Sequence, residues 1–344
     1  MKNHTTFGID LAKNTIQIAE LRNGKVKSNK SVSPIVFKKM VITHKPMNLV
    51  FEACGGAHYW ARLCNQHSHQ ATILPTQFVA GSRQGQKTDG NDAIACAVAS
   101  HHPKAQPVTI KTEIQQAMQV VERTQQALTK QSTALNNMLI GQLFEFGIKI
   151  SKRSGELARR IPDILEDAEN GLPDCLRQAL FLSFEHYQDT RRRLAQIEAQ
   201  LKQLVRENEA CRSLLALEGV GPVNALGLYL AIGDGHAFKN GRAAAACIGV
   251  TPKQHSTGGK VKLGTVGKNR GNRRLRYTLF QGAMSIVKQL EKRPPRTEKE
   301  QWFFELIARR GVRCAAMAYA NKTVRTAWAL LRHNTAYQAV TLEA

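Results

Sequence analysis

One carboxylate inside an apolar run constrains the N-terminal part of this chain more than any other feature. The stretch Thr5-Thr6-Phe7-Gly8-Ile9-Asp10-Leu11-Ala12 reads as a buried strand, and Asp10 interrupts it. An unpaired carboxylate in such surroundings costs on the order of several kcal/mol, so Asp10 calls for a metal or another cation. Further acids can complete such a site. Glu52 closes a second strand-like run, Asn48-Leu49-Val50-Phe51-Glu52-Ala53, and Asp89 and Asp92 stand three apart in Lys87-Thr88-Asp89-Gly90-Asn91-Asp92-Ala93. That spacing puts the pair on one helix face. Four oxygen donors without an accompanying Cys or His cluster suit a hard divalent cation, Mg²⁺ or Mn²⁺. Taken singly, an acid of this kind is more often a helix cap or a solvated charge. Four of them at strand ends and on one helix face point to chemistry.

The charge balance points to a polyanionic partner. The chain of 344 residues holds 49 Lys and Arg against 26 Asp and Glu, a net charge of +23. The excess is uneven: +8 over residues 1–110, +1 over 111–213 and +14 over 214–344. No acid occurs between Asp234 and Glu291, which marks that stretch as the place for a phosphate backbone. The seven cysteines form no C-x-x-C pair, which argues against a zinc ribbon or a thioredoxin motif and for reduced, mostly buried thiols. No apolar run approaches the ~20 residues that span a bilayer and no leader precedes the first strand, so a cytoplasmic protein is expected.

In chain order, 15–21 alternates apolar and polar residues, Asn23-Gly24 makes a turn, and a third strand follows from Lys25. A short helix is expected over 34–39, then the Glu52 strand, then a helix over 57–67 with Trp60 and Leu63 on its apolar side. A strand at 71–74 leads into a Gly-rich loop. Three antiparallel strands followed by alternating helices and strands is the ribonuclease-H-like order, an α/β domain with a mixed central sheet. In that order Asp10 and Glu52 lie on adjacent strands with the Asp89/Asp92 helix packed against them.

Residues 111–146 carry Ile114, Val121, Leu128 and Leu135 at helical spacing, with Met118 and Leu139 interleaved. Tyr187, Leu194, Ile197, Leu201 and Leu204 repeat the pattern, and a connector containing Pro162, Pro173 and an acidic run separates the two. This near-neutral segment reads either as a coiled-coil spacer and oligomerisation arm or as an ordinary antiparallel helix pair. The expected domains are therefore 1–110, α/β; 111–213, helical; and 214–344, mainly helical. The last begins with Leu217-Glu218-Gly219-Val220-Gly221-Pro222, which reads as a helix-hairpin-helix-like turn offering backbone N–H groups to phosphate, or as a plain αα-turn. Lys253, Lys260, Lys262, Lys268, Arg270, Arg273, Arg274 and Arg276 then form a cationic surface for nucleic acid. Within it Ser256, set beside Gly258-Gly259, is either a candidate nucleophile or a turn residue.

Together, Gly8-Ile9-Asp10-Leu11-Ala12-Lys13, Phe51-Glu52-Ala53-Cys54-Gly55, 87–93, Glu218-Gly219-Val220-Gly221-Pro222 and His255-Ser256-Thr257-Gly258-Gly259-Lys260 resemble one family, the DEDD-type insertion-sequence transposases. This is the Piv-invertase-like group understood as bridge-RNA-guided recombinases. The resemblance implies a RuvC-like N-terminal domain in which Asp10, Glu52, Asp89 and Asp92 bind Mg²⁺ or Mn²⁺. It implies a C-terminal nucleophile at Ser256, with Thr257 the adjacent hydroxyl. It also implies double-stranded DNA at element ends and target, a non-coding guide RNA, and a homo-oligomer, dimer or tetramer. A RuvC-like structure-specific nuclease without a covalent intermediate would need only the four acids.

Overall fold

Strands that alternate between two buried faces build the N-terminal sheet. The computed structural model describes residues 5–151, 153, 155–267 and 271–342. The chain packs as two compact units, Met1–Gln116 with Gly233–Lys239, and Ala117–Ile232 with Asn240–Ala344.

In the first unit, β1 (Thr5–Leu11), β2 (Ile16–Arg22) and β3 (Lys25–Val32) run antiparallel, with the turn at Asn23-Gly24. Helix α1 (Pro34–Thr43) begins at the Ser33 cap, whose hydroxyl accepts from Val36 N, and runs a turn further than the sequence pattern indicates. Next come β4 (Asn48–Glu52), α2 (Ala57–Gln66) and β5 (Gln70–Leu74). Then α3 (Thr76–Ser82) replaces part of the expected Gly-rich loop, and α4 (Asp89–Ser100) starts at the Thr88 cap. The sheet order is β3-β2-β1-β4-β5, with β4 parallel to β1 and β5 parallel to β4, as expected of a ribonuclease-H-like domain.

The period of two splits the side chains between the faces. Ile9, Ile16, Ile18, Leu49 and Phe51 pack with Phe37 of α1 and Ala61 of α2 on one face. On the other, Val50 and Leu74 meet Ala95, Cys96 and Ala99 of α4, while Ala19 and Leu21 meet Ala93 and Ala97. Each fully buried Ile, Leu or Phe contributes about 1.5–3 kcal/mol, which makes this sheet a stiff platform.

In the second unit α5 (Glu113–Glu145) and α7 (Asp174–Glu207) are the long helices, joined through α6 (Glu156–Glu166). Of the buried residues on α5, Met118, Gln125, Ser132 and Leu139 keep a strict seven-residue repeat in which two members are polar, and Leu143 follows four residues on. Met118 and Leu139 of the sequence reading belong to that repeat, whereas Ile114, Val121, Leu128 and Leu135 sit beside it, Ile114 being 71% exposed. Gln125 occupies its buried position because its amide donates to Glu198 of α7 and its carbonyl accepts from Arg274 at 2.5 Å.

Then come α8 (Glu209–Leu214), α9 (Pro222–Ile232), α10 (Gly241–Ile248), the hairpin β6 (Pro252–Thr257) and β7 (Lys260–Val266), α11 (Arg273–Leu290), α12 (Glu298–Arg310) and α13 (Val312–His333). The turn before α9 faces inward. A Cβ on Gly282 of α11 would lie 2.2 Å from the Gly219 carbonyl oxygen, so these backbones touch. Glu218 in the same turn accepts from Lys299 Nζ at 3.0 Å and from the Tyr337 hydroxyl at 2.9 Å, and its backbone carbonyl accepts from Tyr319. The Glu218-Gly219 half of the turn thus takes part in helix packing, and Gly221 is its exposed glycine.

Candidate active site and nucleic-acid interface

Gly8 and Asp10 share the sheet face that α4 covers, and Gly8 is why α4 can lie so close. A Cβ at Gly8 would fall 1.9 Å from the Ala93 carbonyl oxygen and 2.7 Å from Ala97 N. Helix backbone thus rests directly on strand backbone, bringing the first turn of α4 beside the end of β1. The same parallel ladder pairs Gly8 with Val50 and Ile9 with Phe51, so Asp10 and Glu52 follow side by side at the ends of β1 and β4. On α4, Asp89 is exposed and Asp92 is buried. The turn holding them is fixed by Thr88, whose hydroxyl accepts from Asn91 N, and by Asn29 of β3, which donates to the Gly90 carbonyl.

The four acids share one field. Burial of Asp10 raises its pKa above the ordinary carboxylate value, and Asp89, Asp92 and Glu52 raise it further, in that order. Burial, Glu52 and Asp10 likewise push up the Cys96 thiol, which keeps that sulfur protonated and leaves an all-oxygen donor set. Sequence reasoning missed Arg83, which donates to Asp92 at 2.8 Å and neutralises one carboxylate of the group. No local pattern signals this pair, since Arg83 lies in the segment between α3 and α4. Among the described residues no three carboxylate, imidazole or thiol side chains converge closely enough to clasp an ion as they stand. The donor chemistry and the mutual repulsion nonetheless fit a hard divalent cation, which would offset both the burial of Asp10 and the repulsion from its neighbours.

On the second unit, Ser256 lies in strand β6, paired with Val261, and the Gly258-Gly259 turn follows it. The sequence reading put it in a glycine loop; pairing across the turn, with φ of 55° and 75° at the two glycines, makes a tight hairpin instead. Cross-strand partners share a face, so Ser256, Gln254, Val261 and Leu263 stand on one side and His255, Lys262, Thr257 and Lys260 on the other. Gln254 donates to the Ser256 hydroxyl at 3.3 Å. Val261 and Leu263 are 61% and 65% exposed. Ser256 therefore belongs to the apolar face of the hairpin and Thr257 to its cationic face.

Lys253, Lys260, Lys262 and Arg273 are exposed as a phosphate surface requires, and Lys268 and Arg270 lie outside the described residues. Arg276 donates to the Gly249 carbonyl at 3.2 Å. Arg274 points inward: it donates to the Glu122 carbonyl at 2.9 Å and to Gln125, and lies 3.7 Å from the Glu122 carboxylate. Its burial lowers its pKa from the ordinary value, with Glu122 opposing. Arg274→Ala should cost about 2–3 kcal/mol in urea denaturation, because it strands buried acceptors, whereas exposed Arg273→Ala should leave stability within about 0.5 kcal/mol.

Comparison with known proteins bears on this arrangement. A DEDD transposase model of IS110 type matches residues 7–147, and a model described as the Transposase IS116/IS110/IS902 family matches residues 211–298. The chain belongs to the IS110 family of transposases. A probable family 20 transposase of Pseudomonas aeruginosa is 33% identical over 339 residues, covering 98% of this chain and 99% of the relative. The transposase for insertion sequence element IS1111A of Coxiella burnetii is 32% identical, covering 98% of this chain and 92% of the relative. A pilin gene-inverting protein of Moraxella lacunata is 24% identical over 302 residues, 82% of this chain and 83% of the relative. This transposase thus has as its N-terminal matched segment the part that carries Asp10, Glu52, Asp89 and Asp92, and as its C-terminal one the part that carries Ser256. DEDD transposases generally use divalent metal ions. Among the described residues no helix is long and apolar enough to cross a membrane.

Proposed function

We propose that this transposase cuts and rejoins double-stranded DNA through a phosphoserine intermediate on Ser256, with Asp10, Glu52, Asp89 and Asp92 holding Mg²⁺ or Mn²⁺. The raised Asp10 carboxyl among three other acids carries the metal part of this reading. When bound, the ion supplies Lewis-acid stabilisation of the phosphoryl oxygens and eases loss of a hydroxyl proton. Arg83 holds Asp92 in place while the other carboxylates remain available. The Ser256 hydroxyl attacks phosphorus; the Oγ–P bond forms as the P–O3′ bond breaks, and the 3′ oxygen leaves with a proton. A second strand's 3′ hydroxyl reverses that exchange, so the bond energy is kept without ATP. Lys253, Lys260, Lys262 and Arg273 hold the backbone near the hairpin.

Ser256 and the four acids belong to different units of the chain. In this proposal a site of both parts forms on assembly, the hairpin of one subunit serving the carboxylates of another in a dimer or tetramer. The large C-terminal excess of positive charge also accommodates a second polyanion, the guide RNA that the family resemblance implies. Strand cleavage by purified protein tests the scheme. Ser256→Ala should lower it on the order of 10³-fold or more, the scale of nucleophile removal, with DNA binding retained. Full activity in Ser256→Ala would establish a metal-dependent nuclease instead, and loss confined to Thr257→Ala would move the nucleophile by one residue.

A further inference from the structure

A groove of about 1490 Å³ runs between the base of the hairpin and helix α13, with the start of α10 and Trp302 of α12 completing its wall. It is larger than the roughly 300–1,000 Å³ of small-molecule pockets and has room for an extended chain. Arg242, Arg313, Lys322 and Arg325 line it together with Trp302 and Trp328, and among the described residues no carboxylate does. Two of the three tryptophans in the chain are therefore in one cationic groove. Lys322 sits 4.3 Å from the centre of the Trp302 ring, which keeps an ammonium and an aromatic plane in one place. The groove also passes under the hairpin that bears Ser256, since Pro252 of β6 and Gly264, Thr265 and Val266 of β7 form its edge.

Cations without acids select a polyanion, and aromatic planes among them select one with exposed rings to stack. A duplex hides its base faces in its own stack; an unpaired strand offers them. We propose that this groove binds an unpaired stretch of DNA, leading it to or from the hairpin. The inference rests on the reading of the chain as a DNA strand-exchange protein, and adds a site on α12 and α13, beyond the cationic surface of 253–276.

Cys314 lies in the groove and is exposed, while Cys175, exposed on α7, does not line it. The full-length protein is treated with N-ethylmaleimide and the modified cysteines are read by peptide mass spectrometry. Oligothymidylate should protect Cys314 and leave Cys175 unchanged, and a blunt duplex should protect neither. By fluorescence anisotropy Arg313→Ala/Arg325→Ala should bind oligothymidylate about tenfold more weakly, with the salt slope reduced by about 1.4 for two lost contacts at roughly 0.7 each. Duplex affinity should stay unchanged in that variant. Unprotected Cys314, unchanged single-strand affinity, protection by oligouridylate alone, or equal protection by polyglutamate would each overturn the proposal. Failure of the wild type to bind duplex DNA would instead strike the DNA-interface reading beneath it.

Discussion

Asp10→Asn should abolish strand cleavage and, in the same protein, raise the melting temperature. Removing a carboxylate proposed to hold the metal should cost more than the 10- to 100-fold that follows from losing groups that merely orient such ligands, so cleavage should fall by at least about a hundredfold. The rise in stability follows from the field around Asp10. Its folded pKa lies above the ordinary value, through burial first and then through Asp89, Asp92 and Glu52. Between the unfolded and folded values the native state binds more protons than the unfolded chain, so stability falls as pH rises through that window and stays lower above it. Asn carries no charge at any pH, which removes the penalty and flattens that part of the stability profile. Activity and stability then move in opposite directions, as expected where function stores like charges together. Added Mg²⁺ should raise the wild-type melting temperature and have a much smaller effect on Asp10→Asn, because an ion that binds only the folded state stabilises it by mass action. Calorimetry at neutral pH with and without Mg²⁺ reads both effects. An Asn variant that melts lower than wild type would show that Asp10 is a paired structural acid.

Gly8→Ala should have the largest effect on the fold of the first unit. The new methyl carbon would sit 1.9 Å from the Ala93 carbonyl oxygen and 3.0 Å from the Ala97 Cβ. Neither neighbour is the far end of a flexible side chain, so α4 as a whole must lift from β1. We expect a loss of at least about 3 kcal/mol, at the top of the overpacking range, against a total stability of about 5–15 kcal/mol for a typical domain. The displaced helix takes Asp89 and Asp92 with it. Cleavage should therefore be lost even at temperatures where the variant remains folded, and the Mg²⁺-dependent rise in melting temperature should be lost too. Urea denaturation and a cleavage assay on the folded fraction separate the two losses. A stable, active Gly8→Ala would mean that α4 does not rest on β1 at this distance.

The sheet was legible because period-two alternation in β1, β2 and β4 and the Asn23-Gly24 turn are local signals that tertiary packing agrees with. The placement of Asp10 beside Glu52 followed from the same alternation. What was illegible depends on partners far along the chain. Gln125 and Ser132 take buried heptad positions that a search for apolar residues passes over, because Gln125 is satisfied by Arg274, 149 residues away. The hairpin β6–β7 escaped notice because all but one of its side chains are exposed, so charge and glycine content read as a loop. Arg274 looks like its neighbours in a basic run; only the geometry of α5 shows that it is turned inward. Arg83 carries no signature at all until α4 brings Asp92 to it.

Whether the hydroxyl on this hairpin forms the bond to DNA is read by mass spectrometry of protein trapped on a nicked DNA substrate with Mg²⁺ and then denatured and digested. A nucleotide adduct should appear on the peptide containing Ser256, on the serine oxygen, and be absent from Ser256→Ala and Asp10→Asn. Free 5′-phosphate ends with no adduct on any peptide, at full cleavage, would contradict that bond.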